Sequence, residues 1–75
     1  MSPVIAASLD LISSLMEMAN THQRRKYKKD FHRLLRRVRS EEKKPYHERD
    51  DGLLDDLYGE LEDLLRSFKT EIEST

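Results

Sequence analysis

Apolar residues recur at helical spacing in three stretches of the chain and nowhere alternate as a strand would. From Pro3, the positions Ile5, Leu9, Ile12, Met16 and Ala19 follow at +4, +3, +4 and +3, the heptad rhythm of a packed helix face. Val4, Leu11, Leu15 and Met18 run beside them as a second stripe. Together the stripes are wider than one neighbouring helix covers. Val4, Ile5, Leu9, Leu11, Ile12, Leu15 and Met16 are therefore the candidate interface between copies of the chain. Ser2 and Pro3 suit a helix start, because serine caps and proline is tolerated at the first helical position. Asn20-Thr21-His22 interrupts the pattern without glycine or proline, so the chain either bends at 20–22 or runs straight on. Tyr27, Phe31, Leu34 and Val38 resume it at +4, +3 and +4, with Leu35 alongside. The expectation is a continuous or kinked helix over about 3–39, roughly 55 Å long if unbroken.

Residues 40–52 (SEEKKPYHERDDG) lack apolar periodicity. Pro45 removes a backbone donor there and restricts Lys44, which makes the stretch a connector. Asp50 or Asp51 is placed to cap a last helix over about 53–73. In it Leu54, Tyr58, Leu61, Leu65, Phe68 and Ile72 repeat at heptad spacing, flanked by Leu53, Leu57 and Leu64. Gly59 either lets another helix approach or is a tolerated flaw costing about 1 kcal/mol against alanine. The fold class is all-α, with residues 1–75 as one domain. Its expected architecture is an antiparallel helical hairpin whose leftover apolar surface packs against further copies into a bundle. The alternative is a compact three-helix bundle of one chain, bent at 20–22.

Length and composition narrow this further. With 75 residues, no cysteine and 36% hydrophobic content, the chain has no disulfide or thiolate metal site and a core that is marginal unaided. Well-formed helices or self-association must support it. The apolar run from Pro3 to Ala19 is too short to span a membrane and carries Asp10 and Glu17. The first 23 residues contain no lysine or arginine, against the positive start of a secretory signal. The location expected is cytoplasmic, without stable membrane insertion. The missing cations also argue against docking of this helix on anionic lipid.

Charge is segregated beneath a net value of −1. Residues 24–39 hold nine Lys/Arg against Asp30 alone, and residues 48–75 hold ten acids against three bases. Either the two stretches face each other within one fold, or the basic one is offered to a partner. Catalysis finds little support. His22, His32 and His47 have no metal-ligand spacing, and glycine-rich phosphate loops, nucleophile elbows and EF-hand spacing are absent. No enzyme activity, metal or cofactor is expected.

The basic segment carries the main functional expectation. Arg24, Arg25, Lys26, Lys28, Lys29 and Arg33 interleave with Tyr27. Lys43, Lys44, Tyr46 and Arg49 concentrate cations and an aromatic ring in the connector. Guanidinium forks suit phosphate oxygens, and a tyrosine stacks on bases. These residues are the candidate site for an anionic ligand, either a nucleotide-like molecule or nucleic-acid phosphates. The same pattern leaves a structural role open: Tyr27 and Phe31 fall on the apolar stripe, and Pro45 and Tyr46 suffice to tack the connector down. The second functional expectation is a protein antagonist or assembly module that grips a host or virion protein through its helical faces. The acids at 55, 56, 60, 62, 63, 71 and 73 would suit docking on a basic surface.

The apolar start, Arg25-Lys26-Tyr27, Lys44-Pro45, and Glu48-Arg49-Asp50-Asp51 running into Leu53-Leu54-Asp55-Asp56-Leu57 together resemble short helical accessory proteins of tailed bacteriophages. The resemblance covers nearly the whole chain. It implies a small viral protein acting stoichiometrically in the host cytoplasm, and it carries over no catalytic residues.

Overall fold

The computed structural model describes residues 3–74, with side chains from Ile5 to Ser74. These form α1 (Pro3–Met18), α2 (Thr21–Glu42), a single 3-10 turn at Tyr46–Glu48, and α3 (Asp51–Glu73). Among the described residues there is no strand, and no helix is long and apolar enough to cross a membrane. The chain is therefore all-α. Its longest dimension is 45 Å, shorter than the straight helix that residues 3–39 would make.

That long helix is two helices, broken at Ala19-Asn20. Asn20 is extended, with φ −77° and ψ 172°, and opens α2 with a capping box. Its side chain accepts the Gln23 N–H at 2.9 Å, and its own N–H donates to Gln23 Oε1 at 3.1 Å. Two of the orphan donors at a helix start are thus satisfied. The carbonyls left open at the end of α1 also find partners. The Arg24 guanidinium donates to Met16 O at 2.7 Å and to Glu17 O at 3.4 Å. Gln23, almost fully buried, reaches across to the Glu71 carbonyl of α3. The junction is fixed from both sides, and α1 turns back along the other two helices, resting chiefly on α3.

The core is shared by all three helices. Ile5, Ile12, Leu15 and Ala19 enter it from α1; Tyr27, Phe31, Leu34, Leu35 and Val38 from α2; and Leu54, Leu57, Leu61, Leu65 and Phe68 from α3. At its centre Phe68 stacks on Tyr27 with ring centroids 4.5 Å apart, and Phe31 tilts against it at 5.7 Å. Both geometries are favourable for aromatic pairs.

This core accounts for most of the expected interface between copies. Ile5, Ile12 and Leu15 are buried inside their own chain, and Leu9 and Met16 are half-buried. Covering Ile5, Ile12 and Leu15 through a neighbouring copy would first require opening the bundle. Of the wide apolar face, Leu11 (47% exposed) and Met18 (69%) stay on the surface. The side chain of Val4 lies outside the described residues.

The connector is shorter than 40–52, because α2 runs to Glu42 and α3 begins at Asp51. Its anchor is Glu41, buried to 4% exposure. The Glu41 carboxylate pairs with Lys44 at 2.8 Å and accepts the Asp50 N–H at 2.8 Å. Lys44 first, then that backbone donor, hold its pKa below the usual carboxylate value. Asp50 caps α3 by accepting the Leu53 N–H at 3.0 Å. A methyl group at Gly59 would meet nothing within 4 Å. No helix of this chain approaches closely there, and the glycine is a tolerated flaw.

Candidate functional site: the basic face of α2

Helix α2 packs chiefly on α3, and its charges sort by direction. The face carrying Tyr27, Phe31, Leu34 and Val38 is buried. On the opposite side Arg25, Lys29, Arg36, Arg39 and Lys43 recur at +4, +7, +3 and +4, which places them on one ridge at 3.6 residues per turn. All five are exposed, as are Lys28 and Arg37. None of the seven joins an ion pair among the described residues. From Arg25 to Lys43 the ridge is about 27 Å long at 1.5 Å per residue.

Several cations of the expected site have other work. Arg24 caps α1, as described. Lys26 pairs with Glu71 at 3.2 Å and sits 5.5 Å from the Tyr27 ring centroid. Arg33 pairs with Asp30 and Lys44 with Glu41. Arg49 donates to the carbonyls of Glu42 at 2.8 Å and Lys44 at 3.4 Å, closing the connector. Tyr46 is 81% exposed and does not tack the connector down. Arg25, Lys28, Lys29 and Lys43 are the cations of that set left for a ligand, beside the exposed Tyr46.

Tyr27 is not available to stack on a base. Its ring is buried against Phe68, and its hydroxyl donates to Glu71 at 2.6 Å. That hydrogen bond, together with burial, pushes the phenol pKa up to about 12. The same bond and Lys26 lower that of Glu71. Arg24–Lys29 and Lys43–Arg49 also lie at opposite ends of α2, with Lys26 and Lys43 about 25 Å apart along the axis. One chain does not bring the two groups into a single nucleotide-sized pocket.

The basic and acidic stretches do not neutralise each other either. Lys26–Glu71 is the one ion pair joining α2 and α3 among the described residues. Asp55, Asp56, Glu62 and Asp63 of α3 are exposed. The two flanks of α2 differ accordingly. Toward α3, the surface hollow holds Asp30, Glu60 and Asp63 beside Arg33 and Arg37. Toward α1, two adjoining grooves hold Arg25, Lys28 and His32, then Arg36, Arg39 and Lys43, with no acid in the lining. An anion meets uncompensated positive charge on the ridge and on its α1 side.

Sequence reasoning named Arg25, Lys28, Lys29 and Lys43 but left Arg36 and Arg39 outside the site. The signal was present in their spacing opposite Tyr27. No group of three or more His, Asp or Glu side chains is placed to hold a metal ion among the described residues. Compared with known protein families, with curated proteins and with solved structures, the chain matches none. The functional reading therefore rests on this chain's own geometry.

Proposed function

We propose that this is a non-catalytic binding protein whose basic α2 engages an extended anionic partner. The carrying observation is the ridge Arg25, Lys29, Arg36, Arg39 and Lys43, exposed and without ion pairs among the described residues. Its length of about 27 Å suits a ladder of charges such as a nucleic-acid phosphate backbone rather than one nucleotide-like molecule. The burial of Tyr27 points the same way, since it removes the ring beside Arg24–Lys29 that a single nucleotide would have stacked upon. Strongly charged faces steer opposite charges toward them, and no α3 acid pairs with a ridge cation among the described residues.

The test is binding of a fluorescent duplex oligonucleotide, used as a phosphate ladder, to the intact protein. Reversing Arg25 and Lys29 to glutamate should weaken binding by about a hundredfold or more at low salt. Reversing Arg66 and Lys69 on α3 changes net charge equally and should have little effect. Equal losses from both pairs would show that net charge, not the ridge, governs binding.

A second reading has its own observation. The α1 side of α2 offers apolar surface together with charge, which suits a protein partner gripped by helical faces. Self-association would use Leu11 and Met18, the exposed remnant of the α1 stripes. The phage-like resemblance fits either form of stoichiometric capture.

A further inference from the structure

We propose that the groove between α1 and α2 docks an acidic amphipathic helix of a partner protein; this rests on the anionic-partner function above and specifies the partner. The groove has the two parts such a helix needs. Its floor is apolar, with half-buried Leu9 and Met16 at the surface and Ile12, Phe31 and Leu35 beneath them. Leu9 and Met16 are seven residues apart, about 10 Å along α1, the interval at which a docked helix presents anchors two turns apart. The rim is cationic. Arg25, Lys28 and His32 border a section of about 480 Å³, and Arg36, Arg39 and Lys43 border an adjoining section of about 690 Å³ that shares Leu9, His32 and Leu35 with it. A helix of about 18 residues matches the run from Arg25 to Lys43.

Other occupants match one part and not the other. A fatty acid fills the floor but brings one carboxylate to Arg25, Lys28, Arg36, Arg39 and Lys43. A duplex brings charges but no apolar ridge for Leu9 and Met16. A second copy of this chain offers acidic α3, whose apolar residues Leu54, Leu57, Leu61, Leu65 and Phe68 are already buried in its own core. Glutamates flanking a leucine stripe satisfy both parts, giving charge complementarity at the rim and apolar burial at the floor.

The test uses the intact protein and two synthetic peptides of about 18 residues. One is a helix with leucines along one face and glutamates beside them. The other has the same composition with its leucines spread around the helix. At about 150 mM salt, where exposed charges are well screened, the first should bind at least about tenfold tighter. Amide shifts should centre on Leu9, Met16, His32 and Leu35. Ser13 is exposed and lines the groove, whereas Ser14 is exposed outside it. Ser13→Glu should weaken the amphipathic peptide about tenfold and Ser14→Glu hardly at all, both variants keeping the parent circular dichroism. Equal affinity for the two peptides, or equal effects of the two serine variants, overturns the groove assignment. Duplex binding without peptide binding overturns it too, while leaving the anionic-partner function standing. Binding of neither overturns both.

Discussion

Asn20 offers a test whose sign, not only its size, depends on the fold. In a continuous helix over 3–39 this position would be interior, where glycine is worse than alanine by about 1 kcal/mol. In the structure Asn20 is extended and its side chain holds the Gln23 N–H at 2.9 Å, so the order reverses. Asn20→Ala removes the cap acceptor and should cost about 1 kcal/mol, within a range of roughly 0.5–2, whereas Asn20→Gly should cost only a few tenths. For a domain this small, each kcal/mol lowers Tm by about 4–8 °C. Urea denaturation followed by circular dichroism at helix wavelengths, repeated at several protein concentrations, separates the variants. Alanine should fall below glycine, with midpoints independent of concentration. Glycine falling below alanine would mean that the helix runs through Asn20 and that α1 does not turn back.

Phe68→Ala should cost about 3–5 kcal/mol, because Phe68 is fully buried between Tyr27 and Phe31; a chain of this size has only about 4–11 kcal/mol to lose, so equilibrium denaturation should find at least about a quarter of the stability gone. Gly59→Ala should raise stability by about 0.5–1 kcal/mol, since nothing stands within 4 Å of the added methyl, and a lower Tm would place an unseen contact there. Tyr27 should titrate near 12 by NMR of labelled tyrosine, and Glu71→Gln should move it back toward its ordinary value by removing the accepting carboxylate. Glu41 and Glu71 have folded pKa values below their unfolded ones, so their contribution is present above about pH 4.5 and is lost as pH falls through the lowered folded values; a Tm that stays flat from pH 6 to pH 3 would contradict both contacts.

The helical stripes were legible because each follows local periodicity. Tyr27, Phe31, Leu34, Leu35 and Val38 all reached the core, and Asp50 capped α3. The break at Asn20 was less so. Asn20 and Gln23 carry a recognisable capping pair, but closing it pays only because α1 then covers its apolar face, and because Gln23 meets the carbonyl of Glu71 far along the chain. The occupied cations were hidden for the same reason. Nothing near Lys26 or Tyr27 announces Glu71, and nothing near Arg24 says that α1 will end beside it. The groove between α1 and α2 depends on two faces meeting, which no single stretch encodes. The ridge, by contrast, stood in the spacing of Arg25, Lys29, Arg36, Arg39 and Lys43, on the side of the helix opposite Tyr27 and Phe31.

The salt dependence of duplex binding tests the central claim most directly. Five ridge cations engaging phosphates give a slope of log affinity against log salt of about −4.5, or a loss of roughly five hundredfold between about 50 and 200 mM. A slope near that value, reduced by about one unit by Arg36→Ala, is the predicted result. A slope shallower than about −2, or one unmoved by Arg36→Ala, would mean that the ridge does not act as a unit on an extended anion.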